Sequence, residues 1–223
     1  MKPNPESVTR FTLFLALLAG AVFAAPAVGI ALGEHARRAG AELLVITADV
    51  RKLKDASLSK KQRVGLAARI NGGLAGLPLM MRLADQERLR QTEGRGTIVG
   101  RLRSSLQKNE LAAFLATAAI LIEHYPFRAT GILPLKSSPT RVRRGKNIHE
   151  EHCAGCHDAP DLDVERPAFN LFRQARTITQ FEFAARLVIG VRGDRTTGID
   201  NPFSDEELAA LFAYYRSGTP VDN

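Results

Sequence analysis

Thiols are the scarcest reactive groups in this chain: two of its 223 residues are cysteine, Cys153 and Cys156, three positions apart. So small an inventory excludes a disulfide framework. It also argues against structural zinc, which draws ligand pairs from two separated segments, because no second pair exists elsewhere. Methionine is nearly as rare, and all three, at positions 1, 80 and 81, precede the cysteines. From Asp158 to Asn223 there is no methionine, histidine, lysine or cysteine, so the last part of the chain lacks sulfur, imidazole and amine ligands. Aromatic residues are few among the arginines and lysines, which weakens any nucleic-acid reading of a chain whose net charge is +8. Strand character is scarce around the cysteines as well, and a thioredoxin-like dithiol would need a strand, helix, strand setting.

Charge is unevenly placed. Residues 1–144 hold 23 Lys and Arg against 10 Asp and Glu, whereas residues 145–223 hold 8 against 13. Solvated helix faces account for a basic half of this kind; acidic lipid, an acidic protein partner and attraction between the two halves are the alternatives. Nucleic acid is not expected, because the first segment directs the chain out of the cytoplasm. Phe11 to Gly33 carries no charge over 23 residues and comes after Lys2 and Arg10, the pattern of a signal sequence or a membrane helix. Small residues around Ala24-Ala25-Pro26-Ala27 suit cleavage, while 23 uncharged residues also suffice to span a bilayer of roughly 30 Å. Both readings stand, and both export the remainder of the chain. The run Leu111 to Ile122, at 12 residues, is too short to cross a membrane and reads as a buried core helix.

The chemistry is concentrated in Cys153-Ala154-Gly155-Cys156-His157. Two thiols on one helical turn can each add to a vinyl group of a single haem, and the imidazole of His157 then lies under the iron as its axial ligand. The reading is one covalently attached haem c, with Cys153 and Cys156 as attachment points and His157 as proximal metal ligand. His149 and His152 stand near enough to offer zinc two further donors, which is the rival use of the same cysteines. Covalent haem attachment needs an exported compartment, so motif and leader together point to a periplasmic protein, anchored by its N-terminal helix or soluble after cleavage.

The expected architecture is all-α. Leu43, Ile46, Val50 and Leu53 form the stripe of an amphipathic helix over 35–54. A second helix is expected from Ser59 to a stop at Asn71-Gly72-Gly73, with Pro78 opening a third that turns Leu79, Met80 and Leu83 inward. After the Gly94-Arg95-Gly96 break, Ile98, Val99, Leu102 and Leu106 predict another, and Asn109 is placed to cap the apolar helix running to Tyr125. The chain thus divides into a leader or anchor at 1–33, a helical bundle at 34–126 without a chemical constellation, a proline-containing linker at 127–139, and a haem domain at 140–223. That last domain is small for a side-chain core, so the porphyrin is expected to fill it and to leave it unfolded or molten when absent.

Residues Gly145 to Ser217 resemble a small helical mono-haem cytochrome c. Gly145 stands eight positions before Cys153, and Ile148 and His149 fall where that family packs its first helix on its last. Ser204 to Ser217 resembles the family's closing helix and makes independent sense: Ser204 with Glu207 is a capping box, and Leu208, Leu211 and Tyr215 share one face. The resemblance implies that Gly145 lets Tyr214 or Tyr215 approach closely. It also implies that a proline carbonyl after the motif accepts the proximal imidazole N–H, and of Pro160 and Pro167 the better placed is Pro167.

In that family a methionine from the loop before the closing helix takes the sixth iron position, and this chain has none there. The loop Gly190 to Phe203 offers weak donors such as Asn201. The sixth position is therefore open, or filled by Met80, Met81 or His124 from the bundle, or supplied by a partner. Core packing for the methionines and a helix-end charge for His124 are the competing uses. The function expected is one-electron transfer between donor and acceptor proteins, without a methionine sixth ligand, in a carrier rather than a catalyst. The alternatives are a domain that binds or senses a small ligand at an open distal site, where Arg192 or Arg195 could donate hydrogen bonds, and a haem subunit of a larger oxidoreductase. Membrane association is expected if the anchor is retained.

Overall fold

A computed structural model of the protein describes residues 33–89, 94–160, 162–164, 167–192, 198–199 and 201–218. The leader expected at 1–33, Gly33 apart, lies outside the described residues, as does Arg195. The fold is all-α. Among the described residues, nine helices accompany a single antiparallel pairing of two-residue strands, β1 (Val191–Arg192) with β2 (Gly198–Ile199).

Helix α1 (Glu34–Lys52) is the central element, packing on α2 (Lys60–Glu87), α4 (Leu111–His124) and α8 (Gln180–Ile189). The expected stripe is present: Leu43, Ile46 and Val50 are buried in a first core built by α1, α2, α3 (Arg95–Gln107) and α4. A second stripe of small apolar residues, Ala41 and Val45, enters a different core formed with α7 (Leu171–Thr177), α8 and α9 (Asp205–Ser217). One helix therefore serves both cores, and the described residues form one compact unit. The segment 127–139, expected as a linker, is itself partly core, because Phe127, Ala129 and Ile132 are buried with the second group. The apolar helix α4 buries only Phe114, Ala118 and Leu121, a single face rather than its whole circumference.

Two expected boundaries are corrected. Asn71-Gly72-Gly73 does not end a helix and Pro78 does not begin one, since α2 runs unbroken from Lys60 to Glu87. It opens as anticipated on Ser59, whose side chain accepts from the Gln62 N–H in a capping box. Gly73 marks a close approach of helices and not a helix stop: a Cβ there would run into the Glu42 and Arg69 side chains, which pair across the α1–α2 contact. Pro78 is tolerated because the carbonyl it strands, that of Leu74 four residues earlier, accepts instead from the Arg103 guanidinium at 2.9 Å. By length and composition α2 could also cross a membrane, but it lines the first core with Ile70, Leu74, Leu77 and Met81. Asn109, expected as the cap of α4, takes a positive φ of 57°, and Glu110 is the capping residue.

Across the chain's charge divide, basic residues of the first part meet acidic residues of the second. Arg37 pairs with Asp205, Arg141 with Glu206 and Arg144 with Glu207. The last two pairs run between α5 (Pro139–His152) and α9, which cross where Gly145 faces the Ala210 carbonyl and the Tyr214 side chain. A Cβ at residue 145 would collide with that carbonyl, and backbone cannot step aside as a flexible side chain can. Gly145→Ala is therefore expected to cost about 1–3 kcal/mol of stability, the range for overpacking a tight contact. Urea unfolding of the two proteins measures it, and a loss under about 0.5 kcal/mol would mean that the helices slide apart without penalty.

Candidate functional site

The helix α5 ends at His152, and the chain turns at Cys153 into the single helical turn α6 (Ala154–His157). The Cys153 carbonyl accepts from both the Cys156 and His157 amides, at 3.2 and 3.0 Å, which fixes the two sulfurs and the imidazole on one turn. Cys156 is exposed and Cys153 half-buried. Burial raises the Cys153 thiol pKa, and a hydrogen bond from Tyr215 partly offsets this. The same burial, reinforced by Cys153, drives the Tyr215 phenol pKa far above its ordinary value.

His157 is held at Nδ1, which donates to the Phe169 carbonyl at 2.6 Å. Burial lowers its pKa, with the Phe169 carbonyl opposing, so the imidazole at neutral pH is in the uncharged form that binds metals. The acceptor expected at Pro167 thus lies two residues further on. Phe169 stands immediately before Asn170, whose side chain caps α7 and whose carbonyl begins its ladder. The Phe169 carbonyl therefore falls outside the ladder of α7 and can serve the ring.

These residues fit a covalently bound haem. The two thiols share one turn, and the imidazole is fixed at Nδ1 by a backbone carbonyl, which leaves Nε2 for iron. The loop leaving the motif carries apolar side chains that the protein does not cover: Leu162 is 73% exposed, Val164 43% and Phe169 41%. Zinc fits less well. His149, needed as a ligand beside the cysteines, has both ring nitrogens engaged, Nδ1 with Tyr215 at 3.0 Å and Nε2 with Asp158 at 3.1 Å. His152 faces Glu151 and the ring of Phe203.

The distal candidates are dispersed. Met81 is buried in the first core and Met80 packs against it, the gap-filling use that competed with ligation. His124 is exposed at the end of α4, where its carbonyl accepts from Arg88. The structure brings none of the three to the turn that carries His157. Asn201 donates its amide nitrogen to the Leu187 carbonyl at 2.7 Å, and its Oδ1 is buried without a hydrogen-bond partner among the described residues.

Two features of the site were not anticipated. The Phe169 carbonyl and the Asp158 partner of His149 have no sequence signal, because both depend on where a loop turns. His149 does have one, since its position four residues after Gly145 and four before Cys153 puts it on the packed face of α5. No family model matches the chain, no curated protein matches it, and no solved structure matches it.

Proposed function

We propose that this chain is an exported mono-haem c-type cytochrome that transfers single electrons between protein partners. The observation that carries the reading is the turn of Cys153, Cys156 and His157, with the imidazole tethered at Nδ1 by the Phe169 carbonyl. When bound, haem supplies the one-electron couple of its iron. Cys153 and Cys156 hold it through thioether bonds, His157 ligates it from one side, and the Phe169 carbonyl fixes the ring and strengthens its basicity. The exposed side chains of Leu162, Val164 and Phe169 would offer a bound haem an apolar surface. The N-terminal segment delivers the chain to the periplasm, either as an anchor or as a leader removed on export.

A mass spectrum of acid-extracted protein, read beside visible spectra in both oxidation states, tests this directly. The polypeptide will keep its colour and carry the mass of one haem. A colourless chain of bare amino-acid mass would end the proposal.

A second reading rests on the distal side. With Met80 and Met81 committed to the first core, and weak donors such as Asn201 in the loop before the closing helix, a bound haem would have its sixth position open or weakly held. The ferric protein is then expected to be high-spin and the reduced protein to bind carbon monoxide, the behaviour of a small-ligand domain. A low-spin ferric spectrum with a thioether charge-transfer band, and no response to carbon monoxide, would leave electron transfer alone. Copurification with an oxidase or dehydrogenase would instead identify the protein as a subunit of that complex.

A further inference from the structure

The histidine His149, four residues before the attachment turn, is 1% exposed. It sits among the rings of Phe172 from α7 and of Tyr214 and Tyr215 from α9, with centroids 5.8, 5.5 and 5.4 Å away. Its Nε2 meets the Asp158 carboxylate at 3.1 and 3.2 Å, and its Nδ1 meets the Tyr215 hydroxyl at 3.0 Å. In the tautomer whose Nε2–H is donated to Asp158, Nδ1 accepts and the Tyr215 O–H donates. One side chain on α5 therefore touches α7, α9 and the residue directly after His157.

Packing alone does not call for a histidine here. A phenylalanine would fill the same space among three aromatic rings, provided that residue 215 were also phenylalanine. The buried Tyr215 hydroxyl is what requires a polar partner, because a buried hydroxyl left unpaired forfeits its hydration with nothing in return. Its other neighbour is the Cys153 sulfur, a weak acceptor that as a thioether has no proton to return. With its one proton given to His149 Nδ1, the Tyr215 hydroxyl has none left for that sulfur, so the hydrogen-bonded set runs from Tyr215 through His149 to Asp158 and only abuts the attachment cysteine. The set ends on Asp158, the residue directly after His157.

We propose that His149 is a positioning residue for the proximal ligand: bonded to α9 at one ring nitrogen and to Asp158 at the other, it sets where the turn holds the His157 imidazole. This rests on the haem reading. It acts through the geometry of His157, so its signature is electronic and not merely thermodynamic. The structure assigns a complementary role to the Phe169 carbonyl, which fixes the same ring from the opposite end of the loop.

The test compares holoproteins of the native chain, H149Q, D158A and the double variant H149F/Y215F. Midpoint potentials are read by redox titration, and the His157 ring protons by their paramagnetically shifted resonances. H149F/Y215F keeps the ring packing and leaves no stranded hydroxyl, so it is expected to retain one covalent haem with a displaced potential and moved His157 resonances. H149Q, whose amide offers one donor and one acceptor to the same two partners, is expected to return both readings toward native values. Asp158 is partly exposed, so in D158A water can reach the place of its carboxylate beside His149 Nε2, and the variant should move both readings in the same direction by less. Native potentials and resonances in both H149F/Y215F and D158A would overturn the proposal, whatever happens to their stability. A native chain without covalent haem overturns the functional reading first, and its mass distinguishes that failure from this one.

Discussion

Replacing Cys153 and Cys156 together by alanine will yield a colourless protein whose mass is that of its amino acids, while the native chain keeps its colour through acid extraction. The two thiols are the whole cysteine inventory, so no other residue can substitute as an attachment point. Single replacements discriminate further. Cys156 is exposed and Cys153 is half-buried against Tyr215, so Cys153→Ala is expected to keep haem on one thioether more efficiently than Cys156→Ala. The double variant also decides what builds the second core. Length alone suggests that residues 140–223 need porphyrin to fold, but the side chains form a core of their own from Phe172, Phe183, Phe212 and Tyr215. To these α1 and the 127–139 segment add Ala41, Val45, Phe127 and Ile132. Far-ultraviolet circular dichroism of the colourless double variant is therefore expected to show most of the native helical signal. If the helical signal falls with the colour, the porphyrin and not these aromatic residues organises α5 to α9.

What could be read in the sequence is what is encoded locally. Ser204 and Glu207 close a capping box with the Ser204 N–H and Glu207 carboxylate 2.9 Å apart, and such a box needs only residues three positions apart. Gly145 was legible through resemblance, and the structure gives the reason in the Ala210 carbonyl against it. The single turn over Cys153 to His157 is also local, held by the Cys153 carbonyl accepting from the Cys156 and His157 amides. What escaped depends on partners far along the chain. Pro78 reads as a helix start until Arg103, arriving from another helix, satisfies the Leu74 carbonyl that the proline strands. Glu42 and Asp49 carry no local sign of burial in α1, and they are buried because Arg69 and Arg186 come from α2 and α8 to meet them. The acceptor for His157 required knowing that the loop reaches its cap at Asn170, which leaves the preceding carbonyl outside the helix.

Arg69→Met is expected to be the most destabilising single change in the bundle, by about 3–5 kcal/mol, the cost of removing one partner of a buried ion pair. Arg69 is 4% exposed; its Nη1 donates to Glu42 at 2.8 Å and its Nε lies 3.7 Å from Asp49. Glu42 is fully buried and pairs with no other cation among the described residues, so the substitution leaves a carboxylate stranded in the first core. Asp49 fares better, because Arg186 holds it at 2.7 Å; burial works against the charge of Arg186, but Asp49 and Glu182 more than compensate and raise its pKa. The network is incompletely bonded even in the native chain: Glu42 Oε2 and Arg69 Nη2 are buried without hydrogen-bond partners among the described residues. That leaves it closer to the cases in which a whole buried pair exchanges for apolar side chains at little cost. The double variant Arg69→Met with Glu42→Met should therefore recover most of the loss, and thermal or urea unfolding of the three proteins gives the coupling directly. Recovery would identify the pair as a device that fixes the register of α1 against α2 rather than a source of net stability. A double variant as unstable as Arg69→Met alone would mean that the packing of the guanidinium stem, and not its charge, holds the two helices together.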